Sequence, residues 1–455
     1  MRSHLIKPEL GKAYPLIDYG KGIYLYDATG KRYVDGCSGA VSANIGHGIT
    51  EIIEKMAEQA NRVSFAYRAQ FTSEPAEALA AKLAEWAPDR LNWSFFVNSG
   101  SEATETAQKM AIQYWQEKGF ARKTRIISRW MSYHGITQGA LSMSGHVLRR
   151  KRFVPILNDY PAVSAPYPYR RPAGMSLEEY AVSCANELEQ ALLRIGPEHV
   201  AAFIAEPVIG AAGGAVVPPD GYFQRIREIC DQYDILLIAD EVMTGLGRTG
   251  KKFAVEHWGI HPDLIALGKG MGAGYTPIAA VLASDDIVGT IAAGSGVIMG
   301  GHTYSANPQS TATALAVLQY MEQHDLVSQA AANGRYLLER LQQLAAKYPL
   351  IGEARGLGLL TGLEFVKNRP TKEPFALSLG IGQRVLEAAF RRGLLIYPAF
   401  GGLDGMAGDA VIVAPPLIIT PEQIDEMIGL LDAAIAEVQE QVNAGVLASE
   451  SGGRV

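Results

Sequence analysis

Of 455 residues, 48% are hydrophobic and 19% charged, the balance of a globular chain with a sizeable core. A net charge of −6 argues against nucleic acid as a partner, and the one basic run, Arg149–Arg152, reads as a solvated face or loop. Three widely spaced cysteines (Cys37, Cys184, Cys230) offer neither a disulfide framework nor metal-ligand spacing. With no run of membrane-spanning length and no apolar leader, a reducing, cytoplasmic setting without membrane or metal is expected.

Residues 1–60 read as an N-terminal arm that packs with a small domain. Within it, Gly22–Asp35 alternates strand residues around an Ala28-Thr29-Gly30 turn, a hairpin pattern. The small, glycine-rich stretch Gly36–Gly48 reads as loop, and Ile49–Ala60 resumes a helical period.

From residue 61 to 325 the pattern is that of a large α/β domain. Helices are expected at Glu74–Trp86, Ala103–Trp115, Leu177–Arg194, Tyr222–Tyr233 and Ser310–Gln323. Short apolar strands are expected at Trp93–Val97, Arg125–Ser128, Ala201–Ala205, Ile235–Ala239 and Leu264–Leu267. Uninterrupted apolar strands alternating with helices predict a mostly parallel sheet covered on both faces, with ligand loops at the strands' carboxyl ends. Residues 145–175 read as an irregular excursion. Residues 326–455 read as a smaller α+β domain, with helices at Asp325–Tyr348 and Ile381–Arg392. A final helix opens on the capping box Thr420-Pro421-Glu422-Gln423. Residues 444–455 read as a frayed tail.

The chemistry gathers at strand ends. Lys269 follows the buried run Leu264–Leu267 and stands between Gly268 and Gly270. A lysine there either reaches water or, desolvated, becomes a nucleophilic amine able to form a Schiff base. Asp240 ends the strand Ile235–Ala239, as a ligand carboxylate or a helix cap. Asn98-Ser99-Gly100-Ser101-Glu102 turns from strand into helix, as an anion site or a capping box. Tyr133-His134-Gly135 offers an aromatic for stacking on a flat ring, and Thr303 a hydroxyl before a Pro-started helix. Gly268–Ala273 fits G-x-G-x-x-A, but no acidic residue ends a following strand about 20 residues on, and no Walker A motif is present.

One cofactor, pyridoxal phosphate, needs a lysine, a carboxylate, an aromatic and a helix N-terminus together. The chain resembles the class III aminotransferases of pyridoxal-phosphate fold type I over nearly its whole length. The resemblance rests on Asn98–Ala103, Tyr133–Gly135, Ala205–Val208, Asp240–Gly250, Leu267–Gly270 and His302-Thr303. It implies that Lys269 holds the cofactor and shuttles protons, that Asp240 pairs with the pyridine nitrogen, and that Tyr133 and Val242 flank the ring. It also places Gly100, Ser101 and His134 at the cofactor, Glu206 near the substrate entrance, and Thr303 at the site of a neighbouring subunit. The implied protein is a homodimer or homotetramer. It would move an amino group from a primary amine or ω-amino acid to a 2-oxo acid such as pyruvate, with ping-pong kinetics. An aminomutase, decarboxylase or racemase on the same cofactor is the alternative, and a non-catalytic binding module the third.

The sequence departs from the family at one place. The segment before Pro415-Pro416, where many relatives that use pyruvate carry an arginine, holds no Arg or Lys from Ala399 to Ala414. Arg68 is a weak substitute, and Ser38–Val41 could line an open substrate pocket.

Overall fold

The computed structural model describes residues 4–88 and 90–445. Residues 1–3 of the expected arm and 446–455 of the expected tail lie outside them. The central sheet has seven strands, in the order Trp93–Val97, Ala279–Ala283, Leu264–Leu267, Leu236–Asp240, Val200–Ala205, Arg125–Arg129 and Ala162–Val163. Only Ala279–Ala283 runs against its neighbours, so the mostly parallel α/β sheet expected from the sequence is present. Val200–Ala205, Leu236–Asp240 and Leu264–Leu267 are buried at every residue. Burial on both faces is why they read as continuous apolar runs without alternation.

The antiparallel member, Ala279-Ala-Val-Leu-Ala283, went unread in the sequence. Its alanines favour helix when judged locally, and only pairing with Trp93–Val97 and Leu264–Leu267 makes it a strand. The excursion at 145–175 is less irregular than expected. It contributes a short helix, Val147–Arg150, and the edge strand Ala162–Val163.

A second, antiparallel sheet joins Ile351–Leu357, Leu360–Asn368, Ala407–Val413 and Tyr397–Leu403. The N-terminal strands Ile17–Lys21, Tyr24–Asp27 and Arg32–Asp35 form a third sheet, completed by Leu394–Leu395 from the C-terminal part. At the last helix, Pro421–Asn443, the Thr420 hydroxyl accepts from Gln423 N–H and the Gln423 side chain accepts from Thr420 N–H, the capping box read in the sequence.

Arg248 fastens these parts together. Its guanidinium is fully buried and donates to the carbonyls of Leu359 (3.1 Å) and Pro415 (2.6 Å), to Ser38 Oγ (3.1 Å) and to Asn44 Oδ1 (2.7 Å). Burial lowers its pKa to about 9, which still leaves it charged at neutral pH. The turn that follows Asp240 is thereby tied to the N-terminal arm and to the segment ending at Pro415.

Candidate active site

Two neighbouring strands aim their ends at one cavity. Leu236–Asp240 and Leu264–Leu267 pair in parallel, with Asp240 opposite Ala266, so Asp240 and Lys269 emerge on the same rim of the sheet. Asp240 is 3% exposed. Its Oδ2 lies 2.7 Å from His134 Nδ1, and its Oδ1 accepts from Val242 N–H at 3.1 Å. A carboxylate held on both oxygens has a fixed direction. His134 is itself anchored through its backbone N–H, which donates to Ser144 Oγ at 2.8 Å. The ring's other nitrogen, Nε2, is buried without a partner among the described residues.

Lys269 leaves its strand with a φ of +41°, a left-handed conformation unusual for a side chain larger than glycine. Its Nζ makes no hydrogen bond among the described residues. Burial lowers its pKa below the ordinary 10.5; Asp240 and Glu206 pull the other way, and the Arg149 guanidinium adds to the lowering. Glu206 follows the strand Val200–Ala205 and is buried. Desolvation, with the nearby Asp240 charge, pushes its carboxyl up. Its oxygens accept from Gly210 N–H (3.2 Å) and Tyr133 N–H (3.3 Å).

The opposite end of the cavity is a helix start. Ser99 Oγ accepts from Glu102 N–H at 3.2 Å, and the Glu102 carboxylate accepts from Asn98 N–H at 2.7 Å, so the local capping is real. It does not consume the first-turn N–H groups of Gly100 and Ser101, which have no intrahelical acceptor and suit an anion. Gly100 is required here: a Cβ on it would meet Val242 Cγ1 at 2.6 Å. Gly135 has a φ of +132°, and a Cβ there would sit 2.5 Å from Ser101 Oγ.

The cavity measures ≈ 270 Å³. Gly100, Ser101, Tyr133 and His134 line it, together with Glu206, Asp240, Val242 and Lys269. Eight of the nine residues singled out in the sequence for the cofactor thus meet in one place. Thr303 does not: it is exposed on the loop before the helix Pro308–Gln323 and does not line this cavity. Asn307, not Thr303, caps that helix, its Oδ1 accepting from Ser310 N–H. Arg68 is also elsewhere, donating to the Gly300 carbonyl at 2.6 Å with its guanidinium 4.3 Å from the Phe95 ring centre.

The same cavity is lined by residues that the sequence did not single out, among them Arg149, Tyr397 and Met243. Arg149 departs from the reading of 149–152 as a solvated face or loop, whereas Lys151 and Arg152 are exposed as that reading has them. The Arg149 guanidinium stands 4.3 Å from the centre of the Tyr133 ring and lies 3.5 Å from Tyr397 Oη. Nothing in the local basic pattern announces this, because the position is set by docking of the Val147–Arg150 helix on a distant hairpin.

Pyridoxal phosphate requires an amine for its aldehyde, an acid for its ring nitrogen, walls for its ring and N–H donors for its phosphate. The unbonded Lys269 amine, the oriented Asp240 carboxylate and the glycine-opened helix start supply these within one cavity, so the residues fit the group. Together with the sheet, they define a pyridoxal-phosphate enzyme of fold type I. Residues 7–435 match the family model of the class-III aminotransferases, and the chain belongs to that family.

The chain is 53% identical to the uncharacterized aminotransferase YodT of Bacillus subtilis (strain 168), over 97% of this chain and 99% of that one. It is 38% identical to the putrescine–pyruvate aminotransferase of Pseudomonas aeruginosa, over 96% and 93% of the two chains. Among solved structures, an amine transaminase from an uncultivated Pseudomonas species, in its pyridoxal-phosphate-bound form, superposes with a TM-score of 0.91. The two are 35% identical, with 96% of this chain and 99% of that one covered.

Proposed function

We propose that the protein takes an amino group from a primary amine or ω-amino acid and passes it to a 2-oxo acid such as pyruvate, in two half-reactions. The carrying observation is the unbonded Lys269 amine, its pKa lowered by burial, facing the Asp240 and Glu206 carboxylates in one cavity. The relative named for putrescine and pyruvate supports the choice of substrates.

In this reading Lys269 holds the cofactor covalently and Asp240 pairs with its ring nitrogen. Tyr133 and Val242 would wall the ring, His134 keeps Asp240 in place, and Gly100 and Ser101 would bind the phosphate. When bound, pyridoxal phosphate supplies the electron sink for the charge left on the substrate carbon. Lys269 Nζ takes the proton from the amine-bearing carbon of the substrate and later returns one. A lowered pKa suits that task, since a neutral amine is a base at working pH. Glu206, its carboxyl pushed up by burial, accepts from the Tyr133 backbone N–H at the cavity rim.

Residues 61–325 are assigned as the cofactor domain, with residues 1–60 and those from 326 onward as a second unit; the sheet shared by Arg32–Asp35 and Leu394–Leu395 supports that grouping. A homodimer or homotetramer, with Thr303 contributing to a neighbouring site, is supported by the exposed apolar side chains Phe65, Tyr67, Phe71, Met299 and Tyr304. No helix among the described residues is long and apolar enough to cross a membrane. The three free, buried cysteines support a reducing, cytoplasmic setting.

The test is a half-reaction screen. Cofactor-loaded enzyme is mixed with a panel of primary amines and ω-amino acids, and conversion to the aminated cofactor is followed by absorbance. Stoichiometric transfer to added pyruvate is expected. Turnover that needs no 2-oxo acid would instead mark an aminomutase, decarboxylase or racemase.

A further inference from the structure

We propose that Arg149 is the cation that binds the substrate carboxylate, entering the cavity from the short helix that lies on the segment where the chain lacks an arginine. The inference rests on the proposed use of a 2-oxo acid and adds the residue that selects it.

Three observations carry it. First, Arg149 lines the cavity that holds Lys269, yet no carboxylate pairs with its guanidinium among the described residues. What it has is the Tyr133 ring at 4.3 Å and the Tyr397 hydroxyl at 3.5 Å, a distance too long for a firm hydrogen bond. A guanidinium stacked on a ring and left with free N–H donors is directed but unsatisfied, and its planar fork matches a carboxylate.

Second, its neighbour has the structural duty. Arg150 Nη1 donates to the carbonyls of Leu141 (3.0 Å), Ser142 (2.9 Å) and Ser144 (2.7 Å). Arg150 therefore fastens the short helix, and Arg149 is left for the cavity.

Third, the arginine-free segment is shaped to receive that helix. Tyr397–Leu403 and Ala407–Val413 form a hairpin. A Cβ at Gly401 would meet Leu148 Cδ1 at 2.6 Å, and one at Gly405 would meet Val147 Cγ1 at 2.7 Å. These glycines, with φ of +71° and +68°, let the Val147–Arg150 helix settle directly on the hairpin. The segment provides no cation of its own, but it seats the helix that does.

A carboxylate on Arg149 would share the cavity with two buried acids, Glu206 and Asp240. An acceptor lacking the carboxylate gains nothing from the guanidinium. The prediction is therefore one of preference.

The experiment compares wild type with Arg149→Met and Arg149→Lys, using pyruvate and the uncharged acceptor propanal. The ratio of kcat/KM for pyruvate to that for propanal should fall about 100-fold in Arg149→Met, mostly through KM, and recover in part in Arg149→Lys. Binding of propionate, a carboxylate that cannot react, is measured by calorimetry on the holoenzyme and should weaken at least about 10-fold in Arg149→Met. Pyridoxal phosphate affinity, titrated by absorbance, distinguishes the other anion that could use this arginine.

An unchanged pyruvate-to-propanal ratio in a wild type that uses pyruvate overturns the proposal and leaves the aminotransferase reading standing. So does a loss of cofactor affinity with propionate binding intact, which would make Arg149 a phosphate ligand. If the wild type transfers to no 2-oxo acid, the acceptor reading fails on its own, and propionate binding still decides the role of Arg149.

Discussion

One wall of the cavity is built by strands adjacent in a single sheet, the other by segments that meet only in the folded chain. Asp240 and Lys269 leave paired parallel strands, and their spacing is set by that pairing. Arg149 and Tyr397 are 248 residues apart and meet because a short helix lies on a glycine-flattened hairpin. The first wall is rigid and buried, as an arrangement for proton transfer needs to be. The second depends on docking between loops and is the place where acceptor preference can change without disturbing the sheet. Under the proposed roles of Lys269 and Arg149, reaction type and substrate choice fall on structurally separate walls.

The comparison can be broken most severely at the strand ends. Lys269→Ala should lower turnover by about 10⁴-fold or more and abolish the absorbance of the cofactor–lysine Schiff base, both read in one spectrophotometric assay. Normal turnover in this variant would remove Lys269 from the chemistry. Next in size, Asp240→Asn should still bind pyridoxal phosphate but lose about 10²–10³-fold in kcat, since in the proposed reading it removes the charge that pairs with the ring nitrogen. Unaltered rates would put that partner elsewhere.

A change on the other wall should act differently. Gly401→Val forces a side chain against Leu148 in a left-handed backbone and should displace the Arg149 helix. The expected result is a loss of about 10-fold in kcat/KM for pyruvate, carried by KM, whereas the strand-end variants act on kcat. A loss confined to kcat would mean that the two walls are coupled.

The smallest effect is a pH shift. With the Lys269 pKa below 10.5, capture of pyridoxal phosphate by the apoenzyme should rise with pH and level off before that value. Below its lowered pKa the buried ammonium costs stability, because the unfolded chain holds that proton more readily. Lys269→Met should therefore raise the apoprotein's melting temperature, by an amount that fades as pH climbs toward 10.5. A stabilisation that grows with pH would contradict the sign.

Much of the first wall was legible in the sequence. The apolar runs before Asp240 and Lys269 are short and bounded by glycine or acid, and their burial on both faces leaves a continuous signal. Glu74–Trp86 and the start of the Gly100 helix were legible for the same local reasons, periodicity and capping. Ala279–Ala283 was not, since alanine has no strand signature and the strand exists through its two neighbours. Of the hairpin at 397–413 the sequence showed only the strand Val411–Val413: Gly401 lies in the partner strand and Gly405 in the turn, and glycine, which leaves room there for the Val147–Arg150 helix, carries no strand signal. Arg149 looked like one charge among four in a basic run, and what separates it from Arg150 is the set of carbonyls that Arg150 meets.

The sequence by itself determined the parallel sheet, the family and the lysine–carboxylate pair at its edge, because each follows from residues close together in the chain. The tertiary structure decided which arginine faces the cavity, that Thr303 stays outside the cavity of its own chain, and that Arg248 ties the site to the arm. Those outcomes depend on contacts between distant segments, whose geometry is set by packing and by the room that glycine leaves, and neither is written in a local pattern.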